Sequence, residues 1–141
     1  MDILVDTSAW FALQNRRDKN HAAAIKFWAE IQSKKHRLIT TDRIREESAT
    51  LIQRKLGKAA ALYFSELLEV GAEQGEIIII EITPDMEKEA WGLFQQRRDK
   101  DYSFVDCTTF CVASRYQYGC AFAFDSDFAD FGVEIVPEQT V

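Results

Sequence analysis

Apolar residues along this chain follow two alternating patterns, short consecutive runs and longer stretches where they recur every three or four positions. The first pattern suits strands and the second suits helices with one buried face. Residues 2–6, 38–41, 77–82, 121–124 and 133–136 read as strands. The run at 77–82 is almost unbroken and rich in isoleucine, as in strands covered on both faces. Between the strands, Ala24, Ile25, Trp28 and Ile31 line one face of a helix over about 21–33. Ile44, Ser48, Leu51, Ile52 and Leu56 form a second stripe that ends near Gly57, and a further helix spans about 58–74.

Capping residues refine the boundaries. Thr7 or Ser8 is expected to cap a brief helix reaching about Leu13. Thr83 and Pro84 supply a cap and a first-turn proline, and Met86, Ala90, Leu93 and Phe94 face inward from the helix they start. Ser103 caps the next helix, expected to run to Gly119. Its first half (Phe104, Val105, Cys107, Phe110, Cys111, Val112) is apolar all round and should be deeply buried. Strands alternating with helices predict an α/β fold, with three α/β/α layers around a mainly parallel sheet of four to five short strands. No repeat or linker divides residues 1–141, so a single domain is expected. In such sheets ligands gather beyond the carboxyl ends of the strands, at the topological switch point.

Composition narrows the function classes. With 141 residues, 47% hydrophobic and 12% aromatic, the chain has ample material for a core. Asp2 and Asp6 interrupt the first apolar stretch, which therefore does not resemble a signal peptide, and no run approaches membrane-spanning length. A soluble, cytoplasmic protein with no membrane association is expected. The three cysteines suggest helix packing rather than disulfides, and Cys107 with Cys111 lacks the second pair that a soft-metal site needs. A net charge of −6 argues against a generally basic nucleic-acid binder. Local basic clusters at 16–19, 34–37, 43–45, 54–58 and 97–100 nevertheless interrupt the acidic background.

The chemistry lies in acidic residues placed where apolar segments meet turns or helices. Asp6 follows Ile3-Leu4-Val5, Glu47 sits inside the stripe of Ile44 and Leu51, Asp106 opens the apolar helix, and Asp125 ends Phe122-Ala123-Phe124. Burying carboxylates is costly without a partner, and no matching set of buried cations accompanies them. A divalent metal is the natural counter-charge, and an all-oxygen donor set suits Mg²⁺ or Mn²⁺ better than zinc. Each acid also has a plainer explanation. Asp6 is a good helix cap, Glu47 could meet an arginine, Ser103 and Asp106 have capping-box spacing, and Asp125 with Asp127 suits a turn. Helical phase separates Glu47 from Glu46, which falls on the wet face.

Taken in order, Leu4-Val5-Asp6-Thr7-Ser8, Thr40-Thr41 before the helix bearing Glu47, Tyr102-Ser103-Phe104-Val105-Asp106, and Phe124-Asp125-Ser126-Asp127-Phe128 ahead of Gly132 form a pattern. By these motifs the chain resembles the PIN-domain family of metal-dependent ribonucleases, and more closely the VapC-like toxins of prokaryotic toxin–antitoxin pairs. The resemblance covers essentially the whole chain. It implies that Asp6, Glu47, Asp106 and Asp125 are the catalytic, metal-binding quartet, with Asp127 a fifth metal ligand and Thr7 and Ser103 supporting hydroxyls. Ala123 departs from the pattern, since many relatives carry Thr there. The resemblance further implies an RNA substrate, an antitoxin protein partner and a homodimer. Trp10, Phe11, Trp28, Tyr63 and Phe64 are an aromatic surplus suited to an interface between first-half helices. His21 and His36 lie outside the motifs, so a histidine route to a cyclic phosphate has no residues. Two other readings are a PIN fold kept as an RNA-binding or interaction module without nuclease activity, and a phosphatase of the haloacid dehalogenase type built on Asp125-Ser126-Asp127.

Overall fold

The computed structural model describes residues 1–138. Strands β1 (Asp2–Val5), β2 (Arg37–Thr41), β3 (Ile77–Ile80), β4 (Cys120–Phe122) and β5 (Glu134–Val136) form one sheet in the order β3-β2-β1-β4-β5, and every pairing is parallel. Helices α1 (Thr7–Gln14) and α2 (His21–Lys34) join β1 to β2, and α3 (Asp42–Leu56) and α4 (Lys58–Glu73) join β2 to β3. Helices α5 (Pro84–Gln96) and α6 (Phe104–Tyr116) carry the chain back across the sheet to β4, and a 3-10 helix (Ser126–Phe131) leads to β5.

The period-two alternation of the strands sends side chains into two cores. Ile3, Val5, Leu38, Ile77 and Phe122 pack with Trp10, Ile44, Ile52, Phe64 and Leu68 under α1–α4. Leu4, Ile39, Ala121 and Ala123 pack with Cys107, Phe110, Cys111 and Phe128 under α5, α6 and the 3-10 helix. This is the three-layer α/β/α architecture. The chain winds outward from β1 through β3 on one face, then returns on the other to place β4 against the free side of β1. The switch point therefore lies between β1 and β4, whose carboxyl ends lead to Asp6 and to Asp125.

Several local expectations change. The run at 77–82 yields only a four-residue strand at the sheet edge, with Ile77 buried and Ile78 to Ile80 half-buried. Ile82 belongs instead to a small cluster with Met86 and Val112. Ile25 and Phe94 fall outside their buried stripes and are exposed. Helix α6 stops at Tyr116 because Gln117 takes a left-handed conformation, ahead of Gly119. The aromatic surplus is mostly core. Trp10 and Phe64 are fully buried and meet edge-to-face, Phe11 and Trp28 are half-buried, and of the five only Tyr63 is exposed. The cysteines are buried and free, each thiol pushed up to about 11 by burial. Among the described residues, no helix is long and apolar enough to cross a membrane.

Candidate active site

Asp6 is the first residue beyond β1, and its backbone N–H still donates to the Phe122 carbonyl of β4. Neither Thr7 nor Ser8 caps α1. Asp6 does so itself, its Oδ2 accepting from the Ser8 backbone at 3.3 Å and the Ser8 hydroxyl at 2.8 Å. Ser8 Oγ in turn accepts from the Phe124 N–H at 3.0 Å, so one hydroxyl bridges the ends of the two switch-point strands. Asp6 is buried, and its carboxyl is pushed up to about 7, first by desolvation and further by the nearby charges of Asp106 and Asp125.

Glu47 projects from the middle of α3 and has no ion pair among the described residues; its partner is the buried Thr7 hydroxyl, which donates to Oε1 at 2.8 Å. Ser48 supports the pair from beneath, donating to Thr7 at 3.4 Å. Partial burial and the charge of Asp106 raise the Glu47 pKa. Asp106 occupies the third position of α6 and completes a capping box: its Oδ2 accepts from the Ser103 N–H at 2.9 Å, and its own N–H donates to Ser103 Oγ at 3.0 Å. Capping therefore accounts for part of Asp106. It does not account for the raised pKa, caused by desolvation and by the charge of Asp125.

Asp125 follows β4 after a two-residue extension and caps the 3-10 helix, its Oδ1 accepting from the Asp127 N–H at 3.0 Å. The Asp127 carboxylate lies beside that of Asp125 and senses the charge of Asp106. Asp106, Asp125 and Asp127 each offer one carboxylate oxygen, all within 4.8 Å of one another. Desolvation and the charges of Asp125 and Asp106 raise the Asp127 pKa. Asp6 and Glu47 lie outside this tight triad, and both already spend an oxygen on a local hydroxyl. They remain electrostatically coupled to it, since each senses Asp106. All five acids thus share one end of the sheet, with Asp127 closer to the centre than the sequence pattern suggests.

Among the described residues, no arginine or lysine is a leading cause of any of these shifts. Oxygen donors gathered without a cation fit a hard divalent ion by both charge and chemistry. Sequence reasoning cast Ser8 only as a cap, although its place two residues after Asp6 hints at the hydroxyl–carboxylate bond. It missed Asp130 altogether: the buried Tyr102, next to Ser103, donates its hydroxyl to Asp130 on the 3-10 helix.

The PIN-domain pattern matches residues 3–134. The 23S rRNA-specific endonuclease VapC20 of Mycobacterium tuberculosis, in two strains, is 36% identical over 138 residues, spanning 96% of this chain and 99% of the relative. The chain belongs to the PIN-domain family, in its VapC-like ribonuclease toxin branch. The crystal structure of M. tuberculosis VapC20, described as a sarcin–ricin loop cleaving toxin, is similar with a TM-score of 0.82 at 33% identity, covering 93% of this chain and 95% of that one. VapBC2 of Rickettsia felis, bound to promoter DNA, shares the fold with a TM-score of 0.68 at 9% identity over 96% of this chain and 97% of that one. VapBC-1 of nontypeable Haemophilus influenzae does so with 0.64 at 12%, over 96% of each chain. The phosphatase alternative fails on topology, since its acidic motif belongs to a first strand and Asp125-Ser126-Asp127 follows the fourth.

Proposed function

We propose that this chain is a cytoplasmic, Mg²⁺- or Mn²⁺-dependent endoribonuclease that acts as the toxin of a toxin–antitoxin pair. The observation that carries the reading is the convergence of Asp106, Asp125 and Asp127, flanked by Asp6 and Glu47, on the switch point of the sheet, with no ion pair to any of the five among the described residues. Asp106, Asp125 and Asp127 would hold the ion, with Asp6 beside them. A bound divalent ion supplies positive charge at a phosphoryl oxygen and acidifies water. The protein's own part is positional. Thr7 fixes one oxygen of Glu47 and leaves Oε2 free to accept a hydrogen bond from an attacking water, and the capping box fixes the rotamer of Asp106. Retention of all five acids favours catalysis over a non-catalytic binding module.

The named activity of the M. tuberculosis relative supports ribosomal RNA as the substrate class and makes the sarcin–ricin loop of 23S rRNA the first substrate to test. An antitoxin partner is supported by the same kinship. A homodimer is retained as part of the reading, with Tyr63 the exposed aromatic left on the first-half helices. The test is to incubate the purified protein with a sarcin–ricin-loop RNA hairpin in Mg²⁺ or Mn²⁺, with and without EDTA. The expected products carry 5′-phosphate and 3′-hydroxyl ends and form only with metal. Cleavage that survives exhaustive chelation, or no cleavage of any RNA with metal present, overturns the reading.

A further inference from the structure

A cleft of about 560 Å³ opens beside the carboxylates, between α3 and the start of α6. Its floor is the bonded pair Thr7 and Glu47, and its apolar walls are Leu51 and Val105. Along its rim run Arg43, Thr50 and Arg54, all from α3. The spacing accounts for the arrangement. Positions 43, 47, 50 and 54 recur every three or four residues and so share one face, with Arg54 two turns and about 10 Å beyond Glu47.

The two rim arginines differ in state. Arg43 is half-buried and held by Glu87 at 3.0 Å, so its guanidinium is fixed. Arg54 is exposed and makes no ion pair among the described residues. Glu46 also reaches this rim, which leaves the cleft balanced in charge rather than uniformly basic. A polyanion crossing the acidic floor is repelled there, and the free cation at the far end offsets that repulsion.

Building on the ribonuclease reading, we infer that this cleft is the track for the RNA strand next to the cleaved bond, and that Arg54 grips a backbone phosphate two helical turns from Glu47. Arginine suits the role, since its planar fork bonds phosphate oxygens in pairs. The lining argues against a peptide occupant. A docked amphipathic helix needs a continuous apolar groove, and only Leu51 and Val105 offer apolar surface here.

The experiment measures cleavage of the sarcin–ricin-loop hairpin by the wild type, Arg54→Gln, Arg54→Lys and Lys55→Gln over a KCl series. Lys55 serves as a charge-matched control, because it lies one residue on and a quarter-turn away, outside the cleft. Arg54→Gln should raise KM about fivefold with kcat nearly unchanged, as expected for loss of one charged contact. The slope of log(kcat/KM) against log[KCl] should become shallower by about 0.7, the value for one single-strand phosphate contact. Arg54→Lys should restore the slope, and Lys55→Gln should match the wild type. Wild-type KM and slope in Arg54→Gln, or equal changes in Lys55→Gln, would overturn the assignment while leaving the nuclease reading standing. A wild type that cuts no RNA would instead overturn the reading beneath it, and this inference with it.

Discussion

The hydroxyl of Tyr102 donates to the carboxylate of Asp130, tying the segment that leads into α6 to the 3-10 helix that carries Asp127. Arg97 lies over the rings of Tyr102 and Phe131, and Lys100 pairs with Asp130 at 3.4 Å, so the whole α5–α6 connection closes around this bond. Burial and the carboxylate together push the phenol up to about 12, which keeps it a donor at any physiological pH. The bond joins the segment just before Asp106 to the 3-10 helix that carries Asp127, so it links two of the elements that supply the triad. Tyr102→Phe keeps the ring packing and removes only this tie. Cleavage should fall about tenfold, with a weaker thermal shift on adding Mn²⁺ and a near-native circular dichroism spectrum. Unchanged metal affinity and activity would show that the triad holds its own shape.

Glu47 is fixed through Thr7 rather than through a cation. Glu47→Gln keeps the size and retains an oxygen that can accept from Thr7, so the fold should persist. Activity should drop by at least about a hundredfold, because the variant removes charge at the reacting centre. Thr7→Val should lower kcat by a smaller factor, through loss of positioning alone. Cleavage assays beside thermal melts check both. A Glu47→Gln protein with wild-type turnover would remove Glu47 from the site.

The carboxyl of Asp6 gives the apo protein a definite pH dependence. Its pKa rises from an ordinary 3.8 to about 7 on folding, so the folded state holds the proton more tightly than the unfolded chain does. The stability from this group is fully present below the unfolded value and is lost as pH rises through about 7. Apo protein should therefore melt at lower temperature at pH 8 than at pH 5, and the raised carboxyls of Glu47, Asp106 and Asp127 act in the same direction. Asp6→Asn keeps a good helix cap and should flatten that slope, melting higher than wild type at pH 8. Calorimetry across this range decides the matter, and a steeper decline in the variant would contradict it.

Asp106 serves both a helix end and the acidic centre, and two substitutions separate the roles. Asp106→Asn keeps an oxygen for the Ser103 N–H, so apo stability should hold or rise while the stabilisation by Mn²⁺ shrinks. Asp106→Ala loses the capping bond as well and should cost about 1 kcal/mol more. A large loss of stability in the asparagine variant would mean that capping is its main service.

Much of this was legible because local patterns and the global fold agree. Asp6 stands where β1 stops, Glu47 interrupts an apolar stripe, and Ser103 with Asp106 spells a capping box; each signal lies within a few residues. The departures arise where tertiary geometry decides. That Asp127 joins Asp106 and Asp125 in one cluster is settled by how the 3-10 helix packs against the start of α6, which no spacing rule reveals. Trp10 and Phe64 look like surplus aromatics on short helices, yet they fill the space where α1 and α4 meet above the sheet. The Ser8 bridge to Phe124 joins residues 116 apart and has no local signature at all.

The sheet order also sets when activity appears during synthesis. β1 emerges first and finds β2 soon afterwards, but its other neighbour, β4, follows only after all six α-helices. Asp106, Asp125 and Asp127 come together only once β4 has slotted in beside β1. Such long-range parallel pairing is slow to form, because a long loop must close before any contact compensates for it. A nascent chain that has been read only as far as α5 holds Asp6 and Glu47 but none of the triad. The acidic centre is therefore assembled late, after most of the chain has been made.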